Sequence, residues 1–196
     1  ALDDNNVEIL IIDSGSKEFI DAVKATYNNV NCTVMVSSDY YVNRLKDKLN
    51  DSVNVIRMDL DTVHYELMKR YDIIICNQSL HRFANVNVAL QNLECMLKEG
   101  GYLYFAESSR MTALANITTV FLRKEYTEFR KDSLSMLIDH KSWKEILNTT
   151  SLSIVEEIGD DITYGGFSYF GLINNGNSSF TVKNSSFISE HIRNMV

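Results

Sequence analysis

The chain has 196 residues, 45% of them hydrophobic and 23% charged, the proportions of one soluble globular domain with room for a sizeable core. Its 19 basic and 26 acidic residues leave a net charge of −7 with no long basic run, which argues against nucleic acid as a partner because phosphate binding needs a concentrated positive field. No apolar stretch approaches the ~20 residues of a membrane span, and the opening residues do not read as a signal peptide.

The three cysteines, Cys32, Cys76 and Cys95, lack zinc-ligand spacing, so no metal site is expected. Cys32 and Cys76 fall in apolar strand patterns, where a reduced cysteine acts as a small hydrophobe. The expected setting is reducing and cytoplasmic. The chain enters its first strand almost at once, as a segment of a longer polypeptide would.

Val7 to Ile12 is a short apolar run rich in β-branched residues, the pattern of a buried parallel strand. The turn Asp13-Ser14-Gly15-Ser16 leads to helical spacing from Lys17 to Tyr27 through Phe19, Ile20 and Val23. Cys32 to Val36 is a second strand. Ser37-Ser38 can cap the following helix, Asp39 to Leu49, whose expected apolar face is Tyr41, Leu45 and Leu49. A third strand runs from Val53 to Arg57 and closes on Met58-Asp59-Leu60-Asp61.

A short helix from Glu66 to Arg70 precedes the strand Asp72 to Cys76. Asn87 to Leu97 carries a stripe of Leu90, Leu93 and Leu97, and Gly100-Gly101 is expected to end that helix as a C-cap turn. The strand Tyr102 to Ala106 follows. Strict alternation to this point predicts an α/β fold, a doubly wound parallel sheet with helices on both faces. Thr112 to Arg130 reads as helical or lid-like, and Ser142 to Leu147 as a short helix. Leu152 to Ile158 and Gly166 to Ile173 read as a closing antiparallel pair. Residues 1–173 form the expected domain, with 174–196 a polar tail, linker or docked helix.

Several positions carry candidate chemistry. The turn around Gly15 would let a nucleotide approach the backbone, although one glycine alone favours an ordinary strand–helix turn. Asp59 ends the third strand, where its carboxylate either bonds a purine amino group or caps the next helix. Asn77 ends the fourth strand and either faces a cofactor or forms a turn. His81 and Glu107 follow the ends of two strands joined by one helix. In such sheets chemistry gathers beyond the carboxyl ends of the strands. If those strands are neighbours, the carboxylate orients the imidazole and its other nitrogen becomes a base for an acidic carbon. A lone loop histidine is otherwise a structural hydrogen-bonding group.

The run from Tyr71 to Glu107 resembles class I S-adenosylmethionine (SAM)-dependent methyltransferases, and more narrowly the methyltransferase domains embedded in polyketide synthases and nonribosomal peptide synthetases. The resemblance rests on Leu80-His81, the Asn92-Leu93 pair, Gly100-Gly101 and Glu107, with Glu99 where that family has proline. Ser38 to Lys46 is similar to the family's second helix and Asp59-Leu60 to its third-strand acidic motif. The resemblance implies a Rossmann-like class I methyltransferase fold with a mostly parallel seven-stranded sheet and an antiparallel pair at the C-terminal end. It implies SAM contacts at Gly15, Asp59, Leu60 and Asn77, and catalysis by His81 and Glu107 at the α-carbon of an acyl chain held on a carrier protein, beside neighbouring synthase domains.

The first motif departs from the family. Ile11 stands at its acidic position, and Asp13, Gly15 and Lys17 at its three glycine positions. Val36 stands where a carboxylate would bond the cofactor ribose. The implied activity is accordingly one of three: SAM-dependent C-methylation, proton transfer at the α-carbon without the methyl donor, as in epimerisation, or a non-catalytic pseudo-methyltransferase.

Overall fold

The computed structural model describes residues 6–12, 17–26, 29–49, 53–62, 64–108, 138–160 and 167–175. Gly15, the lid-like stretch 112–130 and the tail beyond residue 175 lie outside the described residues.

Seven strands form one sheet: β1 (Val7–Ile12), β2 (Val30–Val36), β3 (Asn54–Arg57), β4 (Tyr71–Asn77), β5 (Leu97–Ser108), β6 (Leu152–Asp160) and β7 (Phe167–Asn174). Their order is β3-β2-β1-β4-β5-β7-β6. The first five are parallel, and β7 runs antiparallel between β5 and β6. The expected fold class is therefore the observed one. The order reverses between β1 and β4, which opens a crevice at the carboxyl ends of those strands.

Because strand side chains alternate, each strand feeds two cores. On one face, Ile9, Ile11, Val34, Ile73 and Ile75 pack with Phe19, Ile20 and Val23 of helix α1 (Lys17–Thr26) and Leu49 of α2 (Asp39–Leu49). On the other, Leu10, Ile74, Phe105 and Phe170 pack with Leu90 and Leu93 of α3 (Val86–Met96) and Trp143 and Leu147 of α4 (His140–Leu147). Phe105 is the hub of that face, with ring centroids 4.9 Å from Trp143 and 5.1 Å from Phe170. No described helix is long and apolar enough to cross a membrane.

Three expectations need correction. The buried face of α2 runs through Val42, Leu45 and Leu49, while Tyr41 is 45% exposed; spacings of three and four track the 3.6-residue turn better than two successive fours. The expected helix at Glu66–Arg70 is a single 3₁₀ turn, Tyr65–Leu67, after which Lys69 takes a φ of 50° and turns the chain into β4. The glycine pair does not cap α3. That helix ends at Met96, β5 starts at Leu97, and the β4–β5 register jumps from Tyr71↔Leu97 to Ile73↔Tyr102.

The glycines belong to the resulting bulge. Gly100 has a φ of 75°, and a Cβ on Gly101 would sit 3.0 Å from the Lys98 carbonyl and 3.1 Å from that of Asp72. Buried Asp72 fastens the bulge, accepting from Lys98 Nζ at 2.8 Å and from the Glu8 backbone N–H at 2.9 Å.

Candidate active site

β4 and β5 are hydrogen-bonded neighbours, with Asn77 level with Ala106. The chain leaves β4 by a sharp turn in which Gln78 has a φ of 53° and its N–H donates to the Ala106 carbonyl at 2.8 Å. A 3₁₀ turn, Leu80–Arg82, follows and lands beside the end of β5. There Glu107, 0% exposed, takes three hydrogen bonds. Its Oε1 accepts from the backbone N–H groups of Ser79 at 2.8 Å and Leu80 at 2.6 Å, and its Oε2 lies 2.7 Å from His81 Nδ1.

This contact fixes the chemistry of the imidazole. An ionised carboxylate can only accept, so Nδ1 carries the proton and, in the neutral ring, Nε2 presents its lone pair. The His81 side chain is 16% exposed, and no described residue bonds Nε2. The buried Glu107 carboxyl has its hydrogen bonds met by two backbone N–H groups and one ring nitrogen. Its field reaches Cys76 on β4: burial, and secondly the Glu107 charge, push that thiol well above its ordinary range.

The residues expected at a cofactor are spread over the neighbouring strand ends. Asp59 is exposed and accepts the Asp61 N–H on its own Oδ1 at 3.0 Å; its carbonyl lies 2.7 Å from His64 Nε2. Leu60 is fully buried in the core with α3, and its carbonyl accepts from Asn92 Nδ2 at 2.7 Å. Asn77 has a buried Oδ1 without a hydrogen-bond partner among the described residues. A cavity of about 210 Å³ beyond β1, β2 and β3 is lined by Ile12, Met35, Val36, Asp59, Asp61 and Phe83, among others. Thus His81 and Glu107 meet directly, while Asp59 shares a cavity with Phe83 from the segment that follows His81.

Several site residues escaped the sequence reading. Asp61 accepts from the backbone N–H groups of Ala84 at 3.3 Å and Asn85 at 3.2 Å, tying the end of β3 to the segment after His81. Asn92, buried on α3, donates to Leu60 and Thr62 carbonyls. Its place in an amphipathic helix offers a signal, because a buried amide needs partners. His140, at the start of α4, lies 3.1 Å by Nδ1 from Ser168 Oγ, and Ser168 is level with Glu107 across the β5–β7 pair.

Comparison with known proteins follows the same lines. A 98-residue stretch is 34% identical to Tenellin synthetase of Beauveria bassiana, covering 48% of this chain but only 2% of the synthetase. The fold is that of the DszA carbon methyltransferase (TM-score 0.69, 16% identity, 91% of this chain and 50% of that one). It is equally that of the citrinin polyketide synthase CMeT domain (TM-score 0.67, 13% identity, 89% of this chain and 48% of that one). The chain thus spans about half the length of the two solved domains. Residues 4–157, well over half of the sequence, match the family described as a methyltransferase domain, and this chain belongs to that family.

Proposed function

We propose that this chain is a methyltransferase-type domain of a polyketide or nonribosomal peptide assembly line, in which His81 moves the α-proton of a carrier-bound acyl thioester without SAM. The supporting observation is the His81–Glu107 contact of 2.7 Å, with Glu107 held by two further backbone donors. An imidazole whose Nδ1–H is fixed on a buried carboxylate presents Nε2 as its acceptor, and it is oriented before substrate arrives. The substrate would be a 3-oxoacyl thioester, since two flanking carbonyls make the α-carbon acidic enough for a neutral imidazole. The remainder of the substrate, a carrier protein and neighbouring synthase domains would meet the chain from outside. Its three free cysteines suit a reducing, cytoplasmic setting.

The cofactor end does not fit SAM held in the family's manner. SAM would supply an electrophilic methyl group, with Asp59 and Asn77 as polar partners. The ribose diol, however, would meet Val36, which is 2% exposed and offers no acceptor. Asp61 beside the cavity is already engaged by two backbone donors. An unmade buried hydrogen bond costs ~1–3 kcal/mol, so two of them weaken binding by roughly thirtyfold to ten-thousandfold.

One observation favours the second reading, a SAM-dependent C-methyltransferase using the same base. The unpartnered Asn77 Oδ1 is a buried acceptor that a ligand donor would satisfy. Calorimetric titration of the full chain with SAM and with S-adenosylhomocysteine separates the two. The first reading predicts no binding in the micromolar range; micromolar binding would transfer the assignment to methyl transfer.

A further inference from the structure

Glu107 has a second polar neighbourhood on the side away from His81. Across the antiparallel β5–β7 pair its partner is Ser168, and the strand alternation that sends Phe105 and Phe170 into one core sends Glu107 and Ser168 to that same face. Ser168 is 0% exposed. Its hydroxyl lies 3.1 Å from His140 Nδ1, and the His140 ring stacks on Phe170 with centroids 4.8 Å apart and planes at 11°. Asp139 starts α4 at this point by accepting the Ser142 N–H at 2.7 Å, so the histidine rides on the first residue of a capped helix anchored by buried Trp143. No described residue bonds His140 Nε2.

The two imidazoles therefore flank one strand end. His81 follows β4 and is held by Glu107; His140 stands over β7 and is held by Ser168. β4 and β7 are the two neighbours of β5, so at ordinary strand spacing they stand about 10 Å apart.

We propose that His140 is a second proton-transfer residue and that the domain inverts the configuration of an α-substituted 3-oxoacyl thioester. The inference rests on the reading of His81 as base. In one direction His81 Nε2 takes the α-proton, the C–H electron pair passes into the thioester enolate, and protonated His140 returns a proton to the opposite face of the same carbon. The products are the inverted thioester, protonated His81 and neutral His140, and exchange of the two imidazoles with water restores the starting state. In the other direction the roles are swapped. No oxidant, reductant or methyl donor enters.

The test is deuterium wash-in at the α-carbon, followed by NMR at initial rates with the full chain. The probes are the two enantiomers of 2-methyl-3-oxobutanoyl pantetheine thioester, each corrected for exchange without protein. His81→Gln is expected to lower exchange from one enantiomer at least tenfold and to spare the other; His140→Gln is expected to do the reverse. Ser168→Ala, which removes the hydroxyl and leaves the imidazole, should slow only the enantiomer that depends on His140, and it carries the test if His140→Gln does not fold. If His81→Gln abolishes exchange from both enantiomers while the His140 and Ser168 variants change neither, His140 is a structural residue and the inference is overturned with the base assignment intact. Absence of exchange from either enantiomer in the native chain overturns the base assignment as well.

Discussion

Glu107 and His81 stand 28 and 2 residues from the same backbone turn at Ser79, and one carboxylate holds both the turn and the ring. Its Oε1 takes the Ser79 and Leu80 N–H groups, while its Oε2 takes His81 Nδ1 at 2.7 Å. Shape and tautomer are thereby set by a single side chain, and two substitutions should separate them. In Glu107→Gln the amide oxygen can still serve the turn, but its NH₂ meets Nδ1 and favours the tautomer with the proton on Nε2. Proton exchange at the α-carbon of the enantiomer served by His81 should fall by ~10²–10⁴-fold with little loss of stability. Glu107→Ala leaves buried donors without partners and should cost about 3 kcal/mol in urea unfolding. Equal losses of stability in the two variants would contradict this division.

Asn92 predicts a second dissociation of roles. Its amide, 4% exposed, donates to the carbonyls of Leu60 at 2.7 Å and Thr62 at 3.1 Å, fastening the end of β3 to α3. Asn92→Leu removes both donors and leaves Leu60 O, in the core, unsatisfied. A loss of about 2 kcal/mol is expected by chemical denaturation. Asp61, which joins the same segment to Ala84 and Asn85 at an exposed position, should cost less than 1 kcal/mol as Asp61→Asn, yet slow proton exchange by displacing the segment after His81.

The cysteines give a prediction in pH. Burial, only partly offset by the Lys24 charge, raises the Cys32 thiol from 9.0 to about 11, and burial with the Glu107 charge raises Cys76 well above its ordinary value. For a thiol the folded state then holds its proton where the unfolded chain has lost it. Stability contributed by these groups is present below pH 9 and declines as pH rises from 9 toward 11. At pH 8 iodoacetamide should label exposed Cys95 in the native chain and reach Cys32 and Cys76 only on unfolding, as mass spectrometry of the peptides would show. Fast native labelling of Cys32 would refute its burial.

Most of the fold was legible because it rests on periodicity. The apolar runs that became β1, β2 and β4, and the Leu90–Leu93 face of α3, follow from local pattern alone. Features set by long-range contact were not. Gly100-Gly101 read as a helix stop because the turn residues are right for one, but pairing with Tyr71 draws Leu97 into β5 and the glycines into a bulge. Tyr41 looked like part of a buried face because it stands four residues before Leu45, as Leu45 does before Leu49, yet Val42 takes that place. At the site, His81 and Glu107 could be paired from the strand–helix–strand order. His140 could not, since its partner Ser168 is 28 residues away and reaches β5 only through the antiparallel return of β7.

The central claim is that this chain performs proton chemistry at an acyl α-carbon without SAM, and solvent exchange tests it most directly. The full chain is incubated in D₂O with 2-methyl-3-oxobutanoyl pantetheine thioester and no SAM, and loss of the α-proton signal is followed by NMR beside a control without protein. The account predicts protein-dependent exchange that, for the enantiomer served by His81, falls at least ~100-fold in Glu107→Gln and at least ~10-fold in His81→Gln. Exchange no faster than the control, or unchanged in both variants, would contradict it.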